Sequence, residues 1–155
     1  MAKLTSKCLL ALLLVLVSCT PKLTDIEAIC ENTNDSCYII KWEVWPESHG
    51  HVKIYASTSP KTFDLKSEPV ARCKISDKIC HITFDKAVDT RYYFLLQFNK
   101  KDHYVVATRA PHIENVNNLR DLGGYESSHK KAVKWGYLFR SGCMQDIDST
   151  GIKKI

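Results

Sequence analysis

The chain has 155 residues, 45% of them apolar and 25% charged, with 22 basic against 17 acidic side chains. That composition excludes collagen-like, low-complexity and wholly disordered chains, and the length allows one domain, or one domain with part of another. The net charge of +5 includes Lys3 and Lys7 near the N-terminus; without them it falls to about +3, too mild and too scattered to argue for nucleic acid.

Lys3 and Lys7 flank the start of a continuously apolar run from Cys8 to Val17. At 1.5 Å per residue such a run spans about 15 Å, half of a bilayer core, so residues 1–18 read as a signal peptide rather than a membrane span. It closes with Leu16-Val17-Ser18-Cys19, which resembles the lipobox of bacterial lipoproteins. The resemblance implies cleavage before Cys19, a diacylglycerol on its thiol and an acyl group on its new amine, enough to hold a domain firmly at a membrane. Simple cleavage after Ser18, with Cys19 an ordinary thiol, is the alternative. Residues 19–24 then form a tether. The protein is expected in the cell envelope, outside the cytoplasm on a periplasmic or cell-surface face, with the membrane as its partner through the lipid on Cys19.

Five of the six glycines lie after residue 120, and every proline lies at or before Pro111. The shift marks a boundary around Ala110-Pro111 that separates residues 25–110 from 111–155. Upstream of it the pattern is period two. Tyr38, Ile40, Trp42 and Val44 share one face; Val52, Ile54 and Ala56 share another; Tyr92, Phe94, Leu96 and Phe98 a third. Ile26 to Cys30, Val70 to Ile75, Ile79 to Phe84 and Tyr104 to Ala107 complete about seven short strands, with turn-forming stretches between them. The prediction is a mainly β chain folded as an antiparallel β-sandwich. It resembles a fibronectin type III or immunoglobulin-like module, with Trp42 inward on the second strand and Arg91-Tyr92-Tyr93-Phe94 as the penultimate strand with its tyrosine.

Cys30 and Cys37 are seven apart, and so are Cys73 and Cys80. Each pair would flank a polar turn, so outside the cytoplasm the favoured disulfides are Cys30–Cys37 and Cys73–Cys80, although four cysteines allow three pairings. Neither pair has the two-to-four-residue gap usual for metal ligands, and the histidines are scattered, with His49 and His51 on a turn. No metal and no cofactor are expected.

Downstream, Asn118-Leu119-Arg120-Asp121-Leu122-Gly123-Gly124-Tyr125 is followed by Val133-Lys134-Trp135-Gly136-Tyr137-Leu138-Phe139-Arg140-Ser141-Gly142. These two blocks are similar to the opening of the bacterial tyrosine phosphatase family, the cysteine-dependent tyrosine or dual-specificity type. That family begins Asn-Phe-Arg-Asp-Leu-Gly-Gly-Tyr and continues to Trp-Gly-x-Leu-(Tyr/Phe)-Arg-Ser-Gly. Leu119 stands where phenylalanine is usual. Family members that are lipoproteins with a preceding β-module look like this chain throughout. The resemblance implies that residues 111–155 are the N-terminal part of an α/β phosphatase domain, which hydrolyses phosphomonoesters through a cysteinyl-phosphate. It also marks Asn118, Arg120, Asp121, Gly123, Gly124, Tyr125, Trp135, Gly136, Arg140, Ser141 and Gly142 as a structural signature rather than a catalytic set.

The same residues have a reading without the family. Gly123-Gly124 permits a tight turn through positive φ, and Arg120 and Asp121 could pair or cap neighbouring backbone groups. Ser127 to Lys131 reads as a polar hairpin loop; Val133, Trp135 and Tyr137 alternate as a strand, which Leu138 and Phe139 extend into Arg140-Ser141-Gly142. The result would be a small β-hairpin without chemistry.

The family's chemistry needs a thiolate in a phosphate-binding loop, with an arginine six positions later to grip two phosphate oxygens. Six positions after Cys8, Cys19, Cys30, Cys37, Cys73, Cys80 and Cys143 stand Leu14, Asp25, Ser36, Glu43, Ile79, Lys86 and Ser149. None is arginine. No catalytic residue is assigned, and Cys143 is expected to be a small buried or unpaired residue. Residues 146–155 read as a capped helix just beginning, with Ile152 and Ile155 on one face. The chain is therefore expected to stop inside its second domain and to be inactive alone, with a phosphorylated substrate as partner only for the full domain. The alternative is a non-enzymatic, lipid-anchored β-sandwich binding module.

Overall fold

A computed structural model describes residues 22–34, 36–85, 91–110, 113, 115–126 and 131–154. The signal peptide, Cys19 and residues 127–130 of the expected hairpin loop lie outside the described residues. The chain is mainly β. Seven strands precede the boundary: β1 (Asp25–Asn34), β2 (Cys37–Trp45), β3 (His51–Ser57), β4 (Ala71–Lys74), β5 (Ile79–Thr83), β6 (Tyr93–Gln97) and β7 (His103–Ala107). They form two antiparallel sheets, ordered β1-β2-β5 and β4-β3-β6-β7.

Alternation of side chains sets the register. In β2, Tyr38, Ile40 and Trp42 are buried while Lys41 and Glu43 are exposed, as a strand with one wet face requires. One rung row of the first sheet runs Cys30–Ile40–Cys80 and a neighbouring one pairs Tyr38 with Ile82. In the second sheet Ala56, Phe94 and Val106 share a row, as do Ile54, Leu96 and Tyr104. Side chains from both sheets meet in a single core that also holds Leu23, Val52, Ile75 and Phe98. A slip of one residue in any of these strands would turn its buried row to solvent. The Trp42 indole is satisfied inside this core, donating to the Ile75 carbonyl at 2.9 Å.

Cys73 on β4 and Cys80 on β5 are disulfide-bonded, with Cα atoms 6.2 Å apart, so the bridge joins the two sheets. Cys30 and Cys37 are not bonded to each other, which corrects that expectation. Cys30 lies across from Ile40 and Cys37 across from Asn34. Three residues along a strand put the two thiols on opposite faces and about 10 Å apart, beyond disulfide reach. Cys30 is a buried free thiol.

Within the second sheet, β6 is buried on both faces. Tyr55, Tyr93 and Leu95 point away from the shared core yet are as buried as core residues. Tyr93 and Ala107 pack with Trp135 from the downstream segment, with Phe63 and Val105 at the margin.

That downstream segment is short on regular structure. β8 (Arg120–Asp121) and β9 (Phe139–Arg140) make a two-rung antiparallel ladder. Ile113, Val116 and Leu119 bury together against Phe139 and Ile147, so Leu119 does the apolar work of its position. Of the strand expected from Val133 through Tyr137, Leu138 and Phe139 into Arg140, only the end forms, as β9. Residues 135–137 are a turn, and Gly136 has φ 75°, which an alternating strand does not contain. Helix α1 (Ser149–Lys154) is capped by Asp148, whose Oδ1 accepts the Gly151 N–H at 2.6 Å.

Candidate functional site

The site grows from the end of β7. Asn118 takes a left-handed conformation (φ 57°), which asparagine tolerates better than most residues, and the chain turns into β8. The Asp121 N–H then donates to the Arg109 carbonyl at 2.8 Å, tying β8 to the first seven-strand unit.

The Asp121 carboxylate is fully buried. Its Oδ1 accepts the Gly123 N–H at 2.7 Å; its Oδ2 accepts the Gly136 N–H at 2.8 Å and Nη1 of Arg91 at 2.5 Å. A buried charge persists only when paired and hydrogen-bonded, and here one guanidinium and two backbone amides meet it. Arg91 also donates from Nη2 to the Thr108 carbonyl, while its buried Nε has no partner. Nη1 of Arg109 donates to the carbonyls of Gly123 at 2.6 Å and Asp121 at 3.2 Å.

Trp135 completes the cluster. The guanidinium carbons of Arg91 and Arg109 lie 5.1 Å and 4.9 Å from its ring, within cation–π range. Arg109 is also 4.0 Å from the Tyr125 ring and Arg91 5.2 Å from the Tyr93 ring. The two aromatic rings, Tyr93 and Trp135, meet edge-on at 6.3 Å. The Gly123-Gly124 pair lies against the indole: a Cβ on either residue would stand 2.7 Å or less from Trp135 atoms. The need for two glycines thus comes from the tryptophan as much as from the turn, where Gly124 has φ 77°.

The arrangement is built to hold rather than to react. Both carboxylate oxygens are occupied, and both guanidinium groups donate to partners inside the cluster, which contains no cysteine, serine or histidine. Arg120 and Arg140 face each other across the β8–β9 ladder and are exposed; Nε of Arg120 donates to Oδ1 of Asn118 at 3.4 Å. Ser141 donates to the Gly142 carbonyl at 3.0 Å, and the Gly142 N–H to the Asn117 carbonyl at 2.8 Å. Cys143 is free and exposed, not buried, because no apolar cluster reaches it. Burial pushes the Cys30 thiol up to about 12, partly opposed by the charge of Arg91 and reinforced by Glu31, which disqualifies it as a thiolate nucleophile. Among the described residues, no group of three or more His, Cys, Asp or Glu could hold a metal ion, and no helix is long and apolar enough to cross a membrane.

The match to known proteins falls on this segment. Residues 111–155 match the family model described as the tyrosine phosphatase family. No curated protein and no solved structure matches the chain. The matched segment therefore begins at the glycine–proline boundary, and the signature residues differ in burial. Asp121, Gly123 and Trp135 are buried, the first two joined by a hydrogen bond; Gly124 and Ser141 are half-buried; Asn118, Arg120, Tyr125, Gly136, Arg140 and Gly142 are exposed.

Two residues of the cluster, Arg91 and Arg109, lie outside the matched segment. Nothing local in the sequence marks them as site residues, since their partners are 30 and 12–14 positions away. The available signal was the unbroken apolar run Tyr92-Tyr93-Phe94-Leu95-Leu96, which marks a strand buried on both faces and hence something packed on its outer side.

Proposed function

We propose that the chain is the N-terminal part of a lipid-anchored protein tyrosine phosphatase. In this reading residues 1–18 are a signal peptide, Cys19 carries the lipid, residues 25–110 are a fibronectin type III-like β-sandwich, and residues 111–155 open the phosphatase domain outside the cytoplasm. The observation that carries it is the family match over 111–155, together with a physical role for the signature: Asp121, Gly123, Gly124, Trp135 and Gly136 form one packed unit. The whole domain would hydrolyse phosphotyrosine or related phosphomonoesters by thiolate attack on phosphorus, breaking the ester P–O bond and releasing the phenol or alcohol, with water then releasing phosphate from the cysteinyl-phosphate. Residues 1–155 hold no cysteine followed six positions later by arginine, so this polypeptide by itself is inactive.

Two measurements test the reading. Purified protein spanning residues 20–155 is incubated with a phosphotyrosine peptide, and no phosphate release above background is expected; turnover that survives removal of contaminating phosphatases overturns the inactivity. The coding sequence downstream of codon 155 is read for a cysteine with an arginine six codons on. Its absence in every frame would sink the phosphatase reading.

A second reading, a non-enzymatic anchored binding module, is favoured by one observation. Trp135 packs on the outer face of the second sheet with Tyr93 and Ala107, so the segment has a place on the β unit without further chain.

A further inference from the structure

Arg91 and Arg109 belong to the seven-strand unit, yet among the described residues of that unit neither has an ion-pair partner. The ion pair of Arg91 is with Asp121, at 2.5 Å, and its side chain is only 17% exposed. Without residues 120–136, Arg91 would be a cation on an apolar sheet face beside Tyr93, with the Thr108 carbonyl as its polar contact. The converse is more severe. Without Arg91, the carboxylate of Asp121, 0% exposed, would be buried with two backbone amides and no opposing charge. A buried ion left uncompensated is among the costlier defects a fold can carry.

We propose that the outer face of the second sheet, built from Arg91, Tyr93, Ala107 and Arg109, is a docking surface for the signature-bearing segment of this same chain, and that Arg91 is its positioning residue. The sheet completes the fold of that segment. Arg91 fixes the Asp121 carboxylate, and the carboxylate in turn fixes two loops by their amides, one before the tryptophan at Gly123 and one after it at Gly136. Arg109 holds the same turn from its carbonyl side, at Gly123 and Asp121. Trp135 is then held between the two cations. The surface's occupant is therefore internal, and a β unit whose face is so occupied does not offer it to an outside partner. Only the purpose of the clamp, alignment of a phosphatase domain, rests on the function proposed above.

The test is amide hydrogen exchange on the full chain, followed at Gly123 and Gly136 against core amides of Ile40 and Ile54. In Arg91→Ala the two glycine amides are expected to lose protection by about 100-fold, since a buried carboxylate is left uncompensated, while Ile40 and Ile54 stay within threefold of wild type. Arg91→Lys keeps the charge but not the forked geometry; it is expected to give a smaller loss at the same two amides and serves if the alanine variant does not fold. The proposal is overturned if both glycine amides stay within threefold of wild type, or if Arg91→Lys lowers protection at Ile40 and Ile54 as much as at the glycines. Exchange needs no turnover, so a failure here leaves the phosphatase reading standing, and a missing catalytic loop downstream leaves this one standing.

Discussion

Gly123 and Trp135 occupy adjoining space so closely that one methyl group separates a fold from a clash. A Cβ on Gly123 would lie 2.5 Å from the Trp135 Cα and 2.7 Å from two atoms of its ring. Real Cβ atoms do not approach backbone this way, and the tryptophan cannot retreat while Arg91 and Arg109 flank it.

Gly123→Ala is accordingly expected to lose about 1–3 kcal/mol of stability through overpacking, measured by urea unfolding. Gly136→Ala is a useful contrast. Its Cβ would stand 3.6 Å from the Tyr93 hydroxyl, an ordinary contact, so its loss of about 1–2 kcal/mol would come from the left-handed backbone alone. Wild-type stability in Gly123→Ala would refute the packing account.

Arg91→Ala and Asp121→Ala should each loosen the docked segment by about 3 kcal/mol, because each strands a buried charge, read as lost amide protection at Gly123 and Gly136 rather than as unfolding of the sheets. The double variant strands neither. Its loss is expected to fall short of the sum of the singles by at least about 1 kcal/mol. Additive losses would mean that the pair does not couple, whatever its 2.5 Å separation.

Cys30 makes a prediction about pH. Its folded value is pushed up to about 12 from 9.0 by burial, so above pH 9 the unfolded chain gives up a proton that the folded chain keeps. Stability from this thiol is therefore full below pH 9 and declines as pH rises toward 12, by up to about 1.4 kcal/mol per pH unit. Cys30→Ala should flatten that part of the stability profile. In the native protein at pH 8, iodoacetamide is expected to label exposed Cys143 and spare Cys30, as read by peptide mass spectrometry.

Reducing the Cys73–Cys80 bridge, or replacing it in Cys73→Ser/Cys80→Ser, should cost roughly 2–3 kcal/mol, the loop-closure entropy of its short span. A thermal unfolding scan with and without reductant checks this. No change in Tm would imply that the unfolded chain is not loosened by losing the bridge.

Much of this was open to inspection in the sequence, and the reasons for the exceptions are physical. Tyr38, Ile40 and Trp42, like Phe94, Leu96 and Phe98, alternate with polar or outward residues, and a period of two is a local property that any reader of the chain can see. The burial of Tyr93 depends instead on Trp135, some 40 positions on, which no local period encodes. The two cysteine pairs look identical as spacings, yet register decides them: Cys73 and Cys80 end on facing strands of different sheets, Cys30 and Cys37 on opposite faces of one hairpin. The signature of residues 118–142 stood out as a pattern. That Gly123 and Gly124 serve an indole, and that Asp121 pairs with Arg91 rather than Arg120, required the fold.

The closure between the sheets has a colloidal consequence. The edge strands are β1 and β5 of one sheet and β4 and β7 of the other. β4 and β5 are tied by the disulfide, while β1 meets β7 through a parallel bridge between Cys30 and Thr108. Each edge is thus tied to an edge of the opposite sheet, which shortens the open row of N–H and C=O groups on which a neighbouring copy could template. Molecules crowded side by side in two dimensions would meet through side chains rather than through backbone.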